Sequence, residues 1–410
     1  MAAKRGFALA IALLLALNAG AYAFETRREL RDAFSAIELP GTESPYAEEP
    51  GVRAPYSPGA LSGEAKQTAL AYANFLRAVA GLDPVQESAL CDLRSQHGAV
   101  LLAANDFIDH DPPRPDDMPE DFYESAHAGT SESNLVKFNW MRPTILIEGI
   151  QYFARDDGEA NLAVLGHRRW LLNPEMGETG FGLANSESGM TYVAMYALDQ
   201  TTECDWSEVL WPSAGAFPVE LMHSQLAWSI SLNPEKYDIA RSNPVVTLRE
   251  ENSGLAFTFD CRNETSDGFC RVSEEAFGAG ACIIFRPDFS NTDFTDYRQN
   301  QRWTVRVTGL QGVQETLEYA VDMTSLYVQD VANVEMSANR TELRAGETLA
   351  LQARVIPDYA DDLALSWSSS DESVARVDAE GNVTAIAPGK CEIRAESANG
   401  RADFCEIIVS

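Results

Sequence analysis

Apolar positions along this chain change period more than once, and each change marks a different kind of element. Tyr72, Phe75, Leu76 and Val79 fall on one helical face and stop at Gly81, which predicts a first helix. Asp83-Pro84 predicts the start of a second, with Gln86 placed as in a capping box. On it Leu90, Leu93, His97, Val100 and Leu101 share a face, so His97 reads as a core histidine. A third helix is expected after Pro143, with Leu146, Ile150, Phe153 and Asp157 on one side and an end at Gly158. The run "GMTYVAMYAL", residues 189–198, reads as a buried strand. Residues 59–203 are therefore expected to form a mixed α/β domain.

From residue 204 the pattern shortens. "NPVVTL", "LAFTFDC", "ACIIFRP", "RWTVRVTGL" and "TLEYAVDM" are short strand signals between turn residues, so 204–330 predicts an antiparallel β domain. Residues 331–410 continue as all-β at sandwich spacing, with Asn399-Gly400 as a hairpin turn. Residues 24–58 are rich in Pro, Glu and Ser without clear period and read as a linker or extended arm.

The first residues carry a different signal. Lys4 and Arg5 precede an apolar run from Phe7 to Leu17 that closes on Ala21-Tyr22-Ala23, the layout of a signal peptide over 1–23. The run is short for a bilayer span, and none of spanning length follows, so no transmembrane segment is expected after cleavage. No sorting signal or lipobox is visible, which points to free secretion or non-covalent attachment.

Composition narrows the function classes. A net charge of −31 over 410 residues argues against nucleic acid, because phosphate binding needs clustered Lys and Arg. Seven cysteines fit an oxidising compartment, and no C-x-x-C occurs. Cys391 and Cys405 flank the Asn399-Gly400 turn and could bridge facing strands, while Cys261, Cys270 and Cys282 allow one local bridge. "GETGFGLAN" follows no strand-then-helix pattern, which excludes dinucleotide binding, and neither G-x-S-x-G nor H-E-x-x-H is present.

Two stretches resemble known families. "ELRAGETLAL", "LSWSSSDESVARVDAEGNVTAIAPG" and the closing "CEIIVS" are similar to the bacterial Ig-like group 2 module, which implies a small β-sandwich serving as a spacer or adhesive unit. Residues 59–203 resemble a CAP domain (the cysteine-rich secretory, antigen 5 and pathogenesis-related superfamily) in its bacterial SCP-like form. The resemblance rests on "ANFLRAVAGLDPV", "DFIDHDPPRP", "SNL", "FARDDG" and "GHRRWLLNP", in that order. It implies an α+β fold, with an α-β-α sandwich followed by two all-β domains, the last of them Ig-like.

The CAP resemblance also implies a cleft lined by His110, Glu132, Asn134, Asp156 and His167. His110 and His167 would supply its imidazoles, and Asp156 rather than Asp157 the acid that follows Phe153. Neutral imidazoles beside carboxylates suit a divalent ion such as Zn²⁺, or general acid–base work, which makes His110, His167 and Asp156 the catalytic candidates. The chain departs from the family pattern at Ser133, where a Glu is expected, and Glu132 would have to reorient to replace it. Arg168 and Arg169 read as solvated or ion-paired, and His127 and His223 have no supporting neighbours. The expectation is a secreted or surface-associated, non-enzymatic protein that holds a small-molecule, lipid or cell-wall ligand, or a divalent ion. The alternative is a metal-assisted hydrolase or protease using the same cleft.

Overall fold

The computed structural model describes residues 23–41, 43–158, 160–263 and 267–410, so the signal-peptide reading falls almost wholly outside the described residues. The chain is mostly β-strand with a minority of helices. It divides into two compact units: residues up to Tyr297 together with Gln301–Leu326, and Arg298–Asn300 together with Tyr327–Ser410.

The first unit opens with helix α1, Arg27–Ser35, in the stretch expected to be an extended arm. Thr26 caps it: its hydroxyl accepts from Glu29 N at 3.2 Å, and Glu29 Oε2 accepts from Thr26 N at 3.0 Å. Leu30 and Phe24 are buried in the main core. Leu30 is the one buried residue on this short helix, too little to make a visible period.

Among the described residues five more α-helices follow: α2 (Gly63–Val79), α3 (Ala89–Asn105), α4 (Glu120–Ser131), α5 (Ile145–Arg155) and α6 (Gly166–Leu171). The second predicted helix starts later than expected, because Gln86–Glu87 is drawn into a parallel pairing with Glu178–Thr179 instead of capping. Its buried face differs in part: Val100 and Leu101 are buried as expected, but the first turns are rotated. Leu90 and Leu93 are 55% and 48% exposed, and the inward side carries Cys91, Ser95, Ala99, Leu102 and Ala103. The reason lies in the glycines opposite. A Cβ on Gly129 would sit 1.9 Å from Arg94 O, and one on Gly182 would sit 2.0 Å from Ser95 O. This helix is packed by backbone proximity, which hydrophobic periodicity does not register.

At the centre of the α/β part lies a three-stranded antiparallel sheet, Ser133–Phe138, Thr191–Tyr196 and Phe181–Asn185, with Thr191–Tyr196 in the middle. Leu135, Ala184, Tyr192 and Ala194 cluster with Ala99, Val100 and Leu102 of α3. Val136, Val193 and Met195 join Leu76 of α2 and Ile150 and Phe153 of α5. Helices thus cover both faces of the sheet. Arg77 of α2 is fully buried and donates to Asp83 O, Leu171 O, Asn173 O and Met176 O, stitching the turn after α6 to α2.

Residues 208–324 form two stacked sheets. One orders Gly268–Ser273, Ala281–Pro287, Trp228–Leu232 and Glu208–Trp211. The other orders Ala256–Asp260, Val245–Glu250, Arg302–Thr308, Thr316–Thr324 and Gly215–Pro218, its last pair parallel. Trp228, Trp303, Phe259, Phe285 and Tyr297 fill the space between. Trp228 Nε1 donates to Tyr297 Oη at 2.8 Å. The α/β and β segments that the sequence separates at residue 203 share one hydrophobic cluster within this unit. The local disulfide joins Cys261 and Cys270, and Cys282 stays a buried thiol.

The second unit is all-β. Leu365–Ser369, Gly389–Ser397, Ala402–Val409 and Arg340–Leu343 make one sheet, and Thr348–Ala350, Asn382–Ala385 and Ala375–Val377 another, around Val383, Ile393 and Ile407. The Cys391–Cys405 bridge allowed by the sequence does not form, and both remain thiols. Cys391 pairs with Ile407 and Cys405 with Ile393, so the cysteines face each other only diagonally. Diagonal partners stand ~7–8 Å apart, beyond the span of a disulfide.

Candidate functional site

The two ends of one loop build the site. Helix α5 stops at Asp156, whose backbone turns left-handed (φ 50°, ψ 46°) while its N–H bonds Tyr152 O at 2.8 Å. Asp tolerates this conformation because its short polar side chain finds local partners. The loop ends at Leu165, also left-handed (φ 50°, ψ 48°), immediately before α6. Leucine gains no such partner there, so the entry to the histidine-bearing helix carries backbone strain of about 1–2 kcal/mol.

These turns bring Asp156 and His167 together. The Asp156 side chain is fully buried and its Oδ1 lies 2.9 Å from His167 Nδ1, while the imidazole keeps 18% of its surface exposed. Asn161 Nδ2 donates to the same Oδ1 at 2.8 Å, and Arg168 N approaches Oδ2 at 3.3 Å. An ionised carboxylate only accepts, so the proton between the pair is assigned to Nδ1 and the Nε2 lone pair faces away from the acid. The ring leans on Phe153 at 5.5 Å between centroids. Asn134 Nδ2 donates to His167 O at 2.9 Å, so it fixes the backbone of α6 from the central sheet.

The other predicted residues have different partners. His110 is exposed; its Nδ1 pairs with Thr130 O at 2.9 Å, and Thr130 Oγ1 donates back to His110 O. Glu132 is engaged by Arg94 Nη1 at 2.6 Å and does not reorient toward His167. Asp157, next to the buried acid, is exposed. His127, given no neighbour by sequence, sets Nε2 2.7 Å from Asp111 Oδ1, and His223 Nδ1 accepts from Gln225 N. Among the described residues no group of three or more His, Cys, Asp or Glu is placed to hold a metal ion.

Arg168 and Arg169 overturn the solvated reading. Both are 1% exposed, and burial pulls the Arg168 guanidinium down to about 10. Arg168 donates to Ala154 O, Arg155 O, Ala227 O and Ser229 Oγ. Arg169 donates to Val164 O, Ser273 Oγ, Glu275 O and Gly280 O. Their carbonyl partners are backbone atoms, some local and some from the distant residues Ala227, Glu275 and Gly280, and a backbone carbonyl carries no residue identity in the sequence. Asn161 was also missed. Its one signal is a lone amide amid apolar residues between the acid and the histidine.

Residues 330–404 match the bacterial Ig-like domain (group 2), in agreement with the strand pattern of the second unit. A lacto-N-biosidase of Bifidobacterium bifidum is 43% identical over 68 residues, 17% of this chain and 6% of that protein. An A type blood N-acetyl-alpha-D-galactosamine deacetylase of Flavonifractor plautii is 35% identical over 74 residues, 18% of this chain and 10% of that protein. The chain thus spans a tenth or less of the length of these curated relatives. Among solved structures, an intimin mutant of EHEC O157:H7 shares 20% identity with a TM-score of 0.17, covering 19% of this chain and 47% of that one. Domains 4 and 5 of the S-layer protein SbsC share 14% with a TM-score of 0.18, covering 26% and 64%. Likeness at that level carries no argument about function.

Proposed function

We propose that this chain is a secreted or surface-associated bacterial CAP-domain protein that binds, without turnover, a ligand at the His167–Asp156 pair and carries an Ig-like module later in the chain. The observation that carries this reading is the His167 imidazole, oriented by a buried carboxylate, partly exposed and with no hydrogen bond to Nε2 among the described residues. Such a nitrogen accepts from a hydroxyl or N–H of a ligand. Helices on both faces of the central sheet are consistent with the α-β-α sandwich that the resemblance implies. The Cys261–Cys270 bridge suits an oxidising compartment, as secretion requires. No described helix is long and apolar enough to cross a membrane.

The donor set fits Zn²⁺ poorly. Nε2 of His167 is one open ligand atom, Asp156 already accepts from Asn161 and His167, and Glu132 belongs to Arg94. A second reading, hydrolysis with His167 as general base, is favoured by the carboxylate on Nδ1. No Ser, Thr or Cys hydrogen-bonds Nε2 among the described residues, so in this reading the attacking group is a water activated by that nitrogen.

The test is thermal unfolding of wild type and His167→Ala against peptidoglycan fragments, lipid vesicles and zinc chloride, with an assay for turnover of each organic ligand. The expected result is stabilisation of the wild type by an organic ligand, about 2.7 kcal/mol at a hundredfold excess over Kd, absent in the variant and without turnover. Turnover lost in His167→Ala would establish the hydrolase reading. Stabilisation that survives in His167→Ala, or none at all, would overturn the binding proposal.

A further inference from the structure

We infer that the β-sandwich of residues 208–324 sets the geometry of the His167–Asp156 pair, with Arg168 as the positioning residue that connects them; this rests on the functional reading of that pair. Helix α6 has six residues and cannot hold a shape by itself. Arg168 takes over that task from inside the protein. Its Nε and Nη2 each donate at 2.6 Å, to Ala154 O and Arg155 O, the last two carbonyls before Asp156. Its Nη1 reaches the sandwich, donating to Ala227 O at 2.8 Å and Ser229 Oγ at 3.2 Å. Its own N–H approaches Asp156 Oδ2. The side chain therefore ties the end of α5 to a sandwich strand, and the backbone N–H of the same residue, which adjoins His167, reaches the buried acid.

The sandwich also grips α6 from a second direction. Arg169 bonds Ser273, Glu275 and Gly280, all on the stretch that runs from one sandwich strand to the next. Gly278 adopts φ +57°, and a Cβ there would stand 2.7 Å from Arg169 O. Phe277 lies over Gly166 and faces the Arg169 guanidinium at 5.3 Å. The strained Leu165 immediately precedes this clamp. A displacement of the sandwich strand at Ser229 is transmitted by the guanidinium to the Ala154 and Arg155 carbonyls at the end of α5, which set the place of Asp156 and so of the carboxylate on His167 Nδ1.

Nitrogen-15 NMR of the full chain, labelled at histidine and assigned with His167→Ala, tests this. Wild type is expected to show the Nδ1–H form of His167 with a slowly exchanging ring proton. Arg168→Lys keeps the charge but cannot span both sets of acceptors, and is expected to speed exchange roughly tenfold or more. Ser229→Ala, remote from the imidazole, is expected to give a smaller shift in the same direction. A folded Arg168→Lys protein with unchanged His167 signals would overturn the inference. If Arg168→Lys fails to fold, Ser229→Ala decides, and unchanged His167 signals there overturn it equally. Altered His167 signals in a protein that binds no ligand would leave this inference standing and sink the binding proposal instead.

Discussion

His167 Nδ1 and Asp156 Oδ1 stand 2.9 Å apart, and the carboxylate is the wholly buried partner while the imidazole reaches solvent. The acid is a fixed acceptor for three groups: His167, Asn161 and the backbone N–H of Arg168. Asp156→Asn preserves the shape but turns one accepting atom into a donor. The expected cost is about 1–3 kcal/mol in urea unfolding, since a buried donor then meets a donor. His167 should shift toward its Nε2–H form in nitrogen-15 spectra. An unchanged tautomer would mean that the amide keeps its oxygen on Nδ1 and that the carboxylate's charge does not set the place of the proton.

Gly129→Ala probes the crossing of α3 and α4. The added methyl would meet Arg94 O at 1.9 Å, and neither backbone can yield without parting the helices. A loss of about 3 kcal/mol is expected from overpacking of this kind, read as a lower urea midpoint with an unchanged slope. Gly63→Ala serves as the comparison, because nothing lies within 4 Å of the Cβ it adds, and it should cost far less.

His97 gives the fold a pH dependence of stated sign. Burial holds its imidazole below the ordinary value, against the opposing bond to Leu93 O, so the folded protein prefers the neutral ring. The stability tied to that preference is fully present above the unfolded ring's value of about 6.5 and is lost as pH falls through the lowered folded value. Between pH 8 and pH 5 the wild type should therefore lose more stability than His97→Gln. Equal losses in both proteins would remove His97 as the source.

Thiol chemistry should sort the cysteines by depth. Cys261 and Cys270 are bonded, and Cys91, Cys204, Cys282, Cys391 and Cys405 are thiols. Burial raises all five above the ordinary thiol value, and only Cys204 has intermediate exposure. Brief alkylation of the native protein is expected to label Cys204 alone, slowly, with the rest following only in denaturant. Rapid native labelling of Cys391 or Cys405 would mean that the second unit opens readily.

Element type was legible in the sequence where it depends on local pattern. The strands of residues 330–404 alternate between turn residues, and the helical faces around Leu76 and Phe153 carry enough large apolar residues to show their period. His167 and Asp156 could be singled out because a resemblance marked them, but their separation is a property of the fold. What lies opposite a residue has no signature in spacing along the chain. The glycines facing α3, the diagonal register of Cys391 and Cys405, and the carbonyls that receive Arg168 and Arg169 were decided by segments distant in sequence. A buried guanidinium satisfied by backbone carbonyls looks in sequence like any solvated arginine, because its partners have no side-chain identity to read.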